Sequence, residues 1–220
     1  MKTIAVISRK GGSGKTTLAV NLAITAYLSG LRTMLADIDL QRSATDALKA
    51  RAAPGPAVME INAGKLFQTK THADYSGFEC LIVDTPAAPD TDVLQAVQCA
   101  DLCLLVCRPT FLDIASIARS AEAVRRLGKK GLIVLNQAPP RRNGAEPSTV
   151  LKAAEALRFT GMPMAPVGLR ARAAFQQSIA HGRSVCEWDA QSSASQEIER
   201  LWGHIAPILR GQSDLEVRAS

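Results

Sequence analysis

Ser8-Arg9-Lys10-Gly11-Gly12-Ser13-Gly14-Lys15-Thr16-Thr17 is the stretch whose reading decides the fold. In front of it stands a short apolar run, Thr3-Ile4-Ala5-Val6-Ile7, which reads as a buried strand. Behind it Leu18-Ala19-Val20-Asn21-Leu22-Ala23-Ile24 reads as the start of a helix. Strand, glycine-rich turn and helix together form the context of a phosphate-binding loop. Gly11, Gly12 and Gly14 let backbone N–H groups converge on an anion with no side chain in the way. The helix N-terminus adds partial positive charge at the same place. Lys15 is expected to reach terminal phosphates, and the Thr16 hydroxyl to ligate Mg²⁺. Gly11, Gly12, Ser13, Gly14, Lys15, Thr16 and Thr17 make up the nucleotide-binding set.

The loop departs from the ordinary phosphate loop by a second lysine, Lys10, at its mouth. In this the chain resembles the deviant Walker ATPases of the ParA/MinD family. The resemblance implies ATP and Mg²⁺ as cofactors and an ATP-sandwiched homodimer. In that dimer Lys10 would reach the partner's phosphates as a catalytic cation, alongside Lys15. A second cation there offsets charge that develops during phosphoryl transfer.

Two further landmarks follow in family order. Leu31-Arg32-Thr33-Met34-Leu35-Ala36 reads as the second strand and runs into Asp37-Ile38-Asp39-Leu40-Gln41. Carboxylates at i and i+2 on a strand end point to one side. Beside Mg-ATP one can hold a metal-bound water and the other can orient the attacking water. The run resembles the family's first switch, which assigns hydrolysis to Asp39 and places Asp37 near the metal shell. It departs from the family at Leu40, where proline is usual, and at Arg42-Ser43, where Gly-Asn is common. Phe78-Glu79-Cys80-Leu81-Ile82-Val83-Asp84 has the Walker B arrangement, a central strand that delivers Asp84 to the metal. Thr85-Pro86-Ala87 resembles the second switch.

The remainder reads as alternating strands and helices. A helix is expected over 43–50, a short strand over 58–61 and an irregular helical piece from Asn62. Further helices are expected over 92–100, over 113–128 and from Pro147 to 159, with strands over 102–107 and 131–137. Asn136 ends the last of these strands, and its amide matches the donor–acceptor edge of adenine; the resemblance assigns it that contact. Residues 162–169 suit an edge strand, because prolines are tolerated there. The helix over 192–211 places Ile198, Leu201, Trp202, Ile205 and Leu209 on one face for docking on the core. Residues 212–220 are expected to be disordered. The fold class is α/β, a mostly parallel sheet flanked by helices in one ATPase domain over 1–211.

The chain has 220 residues, with 26 basic and 20 acidic side chains and a net charge of +6. That excess is compatible with a nucleic-acid or anionic-membrane surface without choosing between them. By the resemblance, basic residues after the last strand contact DNA phosphates, which nominates Arg170, Arg172 and Arg183. The same resemblance implies nonspecific DNA and a ParB-like or adaptor protein as partners, in a bacterial or archaeal cytoplasm at the nucleoid. The first strand begins directly after Met1, with no signal peptide, so the five cysteines are expected to be reduced. The start also leaves no room for an N-terminal helix-turn-helix domain, as in the small ParA subclass. An alternative is a MinD-like membrane-surface ATPase, against which Pro207, Asp214 and Glu216 in the last segment argue. A metal-cluster protein of the iron-protein kind is a third reading, opposed by the lack of a Cys-x-x-Cys pair.

Overall fold

The computed structural model describes residues 1–88 and 90–210. The expected tail, 212–220, lies outside the described residues. Six strands form one sheet: β1 (Lys2–Ile7), β2 (Thr33–Asp37), β3 (Ala57–Glu60), β4 (Cys80–Asp84), β5 (Leu102–Cys107) and β6 (Lys130–Leu135). The order is β3-β2-β4-β1-β5-β6, and every pairing is parallel. Parallel strands need crossovers, and helices supply them. These are α1 (Lys15–Leu28), α2 (Ser43–Lys49), α3 (Leu66–Tyr75), α4 (Asp90–Cys99) and α5 (Phe111–Arg126), while α6 (Ser148–Arg158) follows the last strand. Three more close the described chain: α7 (Ala173–Ala180), α8 (Val185–Trp188) and α9 (Ser193–Leu209).

The central strands are apolar throughout because both faces are covered. Successive residues point to opposite faces. Ile4, Val6, Ile82, Leu104 and Val134 therefore pack with α1 and α9 in one layer. Ala5, Ile7, Val83, Leu105 and Ile133 pack in the other layer with residues of α4, α5 and α6. The expected apolar face of α9, Ile198, Leu201, Trp202, Ile205 and Leu209, is buried in the first layer. Pro207 lies within that helix without ending it. No described helix is long and apolar enough to cross a membrane.

One expected strand is not formed. Residues 162–169 touch β6 through the single bridge Ile133–Met164 and the bond from Leu169 N–H to the Leu135 carbonyl. Pro163 has no N–H to donate, so the pairing cannot run back past the bridge toward Gly131, and forward of it Leu169 rather than Val167 donates to Leu135. The segment instead crosses beside the edge.

Cys80, Cys103 and Cys107 are buried in strands, and burial pushes each thiol up to about 12. Cys99 and Cys186 are half-buried. Iodoacetamide at pH 8 is therefore expected to add no more than two groups to the native chain and five to the unfolded one, read by intact mass.

Candidate nucleotide site

Strand register builds the site. Val6 pairs with Asp84, and Asp84 pairs with Asp37. Two carboxylates thus stand level on adjacent strands, about 5 Å apart at the backbone. They sit at the carboxyl end of the sheet, just below the loop that leaves β1. Sheets of this kind bind ligands there.

Gly12 and Gly14 adopt positive φ, 69° and 88°. Gly14 occupies the N-cap position of α1 with no side-chain cap. The first N–H groups of α1 therefore lack an internal partner and face the loop. A Cβ on Gly14 would lie 2.3 Å from Asn136 Nδ2. Glycine is required there by both φ and space.

Lys15 is 7% exposed, and its Nζ donates to the Lys10 carbonyl at 3.4 Å. Burial lowers its pKa, while Asp84 and Asp39 pull the other way. Asp84 is fully buried, and neither carboxylate oxygen has a hydrogen-bond partner. The Thr16 hydroxyl faces it without full hydrogen-bond geometry. Burial pushes Asp84 up to about 7, against the pull of Thr16 and Lys15 and with the help of Asp37. A buried carboxylate with free lone pairs, beside a hydroxyl and an uncapped glycine loop, fits Mg²⁺ bound to polyphosphate. In that fit Asp84 and Thr16 hold the metal, and the backbone of Gly11 to Thr17 with Lys15 holds phosphates.

Asp37 occupies the expected place but its oxygens are engaged. Oδ1 accepts from Asp39 N–H at 3.1 Å, and Oδ2 accepts from Thr45 N–H and Oγ1, both at 3.0 Å. This ties the first switch to the first turn of α2. Asp39 is half-buried, and its Oδ1 accepts from Gln41 N–H at 3.0 Å. Arg42 has φ 53°, the left-handed region, which gives the glycine common at this position a physical reason. Its Nη1 donates to the carbonyls of Asp37 and Ile61, which hold the strained backbone in place. Thr85 is anchored by donating to the Val6 carbonyl at 2.8 Å.

Lys10 is half-buried beside the loop, and its charge helps to lower the pKa of Asp113. Sequence reasoning missed Arg108, which forks onto Asp113 at 3.0 and 3.1 Å and approaches Gly12. It also missed Gln137, whose Nε2 donates to the Gly12 carbonyl at 3.0 Å. Asn136 is 6% exposed, and its Nδ2 donates to the Ser13 carbonyl at 2.8 Å. The two amides strap the loop from the end of β6. Adjacent amides at a strand end were the available signal.

The three arginines nominated for DNA part company. Arg170 is 8% exposed; it donates to the Pro139 carbonyl at 2.9 Å and to Glu146. It is corrected here to a structural residue, because its guanidinium is spent inside the chain. Arg172 is half-buried and paired with Glu197 at 2.6 Å. Arg183 is exposed.

A phosphate loop, a partnerless Walker B carboxylate and a six-strand parallel sheet define a phosphate-loop nucleotide-binding protein of the α/β class. Residues 4–185 match the family described as the CobQ/CobB/MinD/ParA nucleotide binding domain. The chain belongs to that family. Over 213 residues it is 32% identical to maintenance of carboxysome distribution protein A of Gloeobacter kilaueensis, covering 91% of this chain and 95% of that protein. It is 31% identical to ParA of Rhizobium radiobacter over 126 residues, 56% of each. The structure of the septum site-determining protein MinD of Pyrococcus horikoshii, complexed with Mg-ADP, superposes with a TM-score of 0.78. That alignment covers 97% of this chain and 99% of MinD at 15% identity, a likeness of fold.

Two outcomes follow for the site. Asn136→Ala removes one strap and is expected to weaken nucleotide binding roughly fivefold to tenfold, read by a fluorescent ATP analogue, with the chain still folded. Arg170→Ala is expected to cost roughly 2 kcal/mol in urea unfolding at neutral pH. Its pairing holds Glu146 below the usual 4.5, so that contribution is present above 4.5 and is lost as pH falls through the lowered value. The gap between wild type and variant should therefore narrow in acid to what the bond to the Pro139 carbonyl contributes.

Proposed function

We propose that this ParA/MinD-family chain is an ATPase that dimerises on ATP, binds DNA without sequence preference and positions a cargo with a small partner protein. The carrying observation is the likeness to the carboxysome distribution protein along nearly the whole chain. The likeness to ParA runs over only about half of it, which favours positioning of a cellular cargo over plasmid partition.

The reaction is hydrolysis of ATP to ADP and phosphate: water attacks the γ-phosphorus, and the bond to the β-phosphate oxygen breaks. Bound Mg²⁺ supplies charge neutralisation of the β- and γ-phosphates. Asp84 and Thr16 would hold it, with Asp37 in the shell behind them fixing the first switch. The loop N–H groups from Gly11 to Thr17 and the Lys15 ammonium hold and orient the phosphates. Asp39 orients the attacking water and draws its proton. Lys10 reaches the phosphates of the second copy and stabilises charge on the bridging oxygen. The amides of Asn136 and Gln137 keep the loop in register with β6, and the adenine contact that the resemblance assigns to Asn136 would fall to its remaining amide oxygen.

Arg183, exposed to water, would contact DNA phosphates in the dimer. A weak single contact becomes useful when two copies present it together. Hydrolysis on contact with the partner then releases the dimer from DNA.

Light scattering with ATPγS and fluorescence anisotropy on a random-sequence duplex test the proposal. The wild type should dimerise and bind DNA only with nucleotide. Lys15→Ala should lose both, and Lys10→Ala should bind ATP yet stay monomeric. Arg183→Ala should lower the slope of log affinity against log salt by about one per lost phosphate contact. A wild type that shows no ATP-dependent DNA binding at low salt would sink the proposal.

A further inference from the structure

Arg51 stands two residues beyond α2 and takes no part in the chemistry above. Its side chain is 4% exposed. Nη1 donates to the Gly182 carbonyl at 2.9 Å and to Glu187 Oε2 at 2.7 Å. Nη2 donates to Glu187 Oε1 at 2.7 Å and to the Pro54 carbonyl at 2.7 Å, and Nε donates to the same carbonyl at 3.1 Å. The contact is backbone to backbone as well: a Cβ on Gly182 would lie 2.4 Å from the Arg51 nitrogen. Glu187 in turn accepts from Ser184 N–H at 3.1 Å, within a capping box that starts α8.

The far end of the same segment is held by α1. Val185 N–H donates to Asn21 Oδ1 at 2.9 Å, and Asn21 Nδ2 donates to the Thr17 carbonyl at 2.8 Å. Asn21 is fully buried. Residues 182–185 therefore hang between two helices, and both helices begin at the nucleotide site. The first starts at Lys15; the second is bonded to Asp37 through Thr45. Exposed Arg183 is carried on this short bridge.

We propose that Arg51 is a positioning residue: its fork onto Glu187 and Gly182 makes the first switch set the place of Arg183, so that nucleotide binding is coupled to DNA contact. The idea rests on the function proposed above. The physical reason is stiffness. A planar guanidinium with five hydrogen bonds in a largely dry site cannot slide without breaking several at once. Movement of α2, when Asp37 and Asp39 answer a nucleotide, is then passed to residues 182–187 rather than absorbed between them.

The test uses the full chain and the variants Arg51→Met, Arg51→Lys, Glu187→Gln and Arg183→Ala. Affinity for a fluorescent ATP analogue should be unchanged in all four. ATP-dependent DNA affinity should fall roughly tenfold in Arg51→Met and Glu187→Gln, the size of an ordinary coupling between sites. Arg51→Lys, which keeps the charge but loses the fork, should recover little. Arg51→Met combined with Arg183→Ala should be no weaker than Arg183→Ala alone. Unchanged DNA affinity, or additive losses in the double variant, would overturn the proposal. Hydrogen exchange supplies an arm that needs no DNA. ATPγS should change protection of residues 181–188 in the wild type and not in Arg51→Met. The same change in both, or none in the wild type, also overturns it. A wild type that never binds DNA removes the functional reading alone, and the exchange arm still decides the coupling.

Discussion

A carboxylate buried without a partner is the constraint on which the structure turns. Asp84 stands at the end of a central strand, level with Asp37, with both oxygens unpaired. Desolvation of such a group costs several kcal/mol when it is charged. The nearest compensation is Lys15, itself mostly removed from water. Neither side chain can move away, because β4 and α1 are fixed by the two apolar layers. The site is thus electrostatically unfinished, and a cation with a polyanion completes it. Binding of such a pair would relieve the unpaired burial that the fold has already accepted.

The carbonyl straps explain how that strain is kept local. Asn136 and Gln137 hold the loop at Ser13 and Gly12, and Thr85 holds the second switch to β1. Arg42 holds the first switch in a left-handed turn that glycine would adopt without cost. An arginine there exchanges backbone ease for two donated hydrogen bonds. The two bonds pin the turn to the carbonyls of Asp37 and Ile61. Leu40, where the family carries proline, is 82% exposed and imposes no such restraint.

What could be read from the sequence was whatever is local. All-apolar runs of five or six residues gave the buried parallel strands, and the glycine spacing gave the loop. Asp84 was legible because four apolar residues deliver it. The first switch was legible as a pair of carboxylates, but not in its bonding: the partner of Asp37 is Thr45, eight residues on and in another element. The loop straps join residues 123 and 125 apart, and the Arg51 fork joins residues 136 apart. Periodicity carries no trace of such pairs. Residues 162–169 misled for the opposite reason. Their prolines read as tolerable on an edge strand, yet Pro163 removes a donor on the side that faces β6, and only the bridge at Met164 and the Leu169 bond form.

Charge shows the same division. A net charge of +6 says how many cations the chain has, not which of them are free. Arg170, Arg172 and Arg183 lie within fourteen residues and read alike. Folding places Glu146 against the first and Glu197 against the second, and leaves the third in water. A guanidinium bound twice inside the chain cannot turn outward without leaving a half-buried carboxylate behind. Arg183 faces no such restraint on its side chain, yet its chain neighbours are held, Val185 by Asn21 of α1 and Gly182 by Arg51 beyond α2. A free charge on a held segment suits the phosphate contact proposed for Arg183. In the coupling proposed above it would respond to nucleotide only as far as the helices that hold its neighbours respond, and those helices begin at Lys15 and at the turn bonded to Asp37.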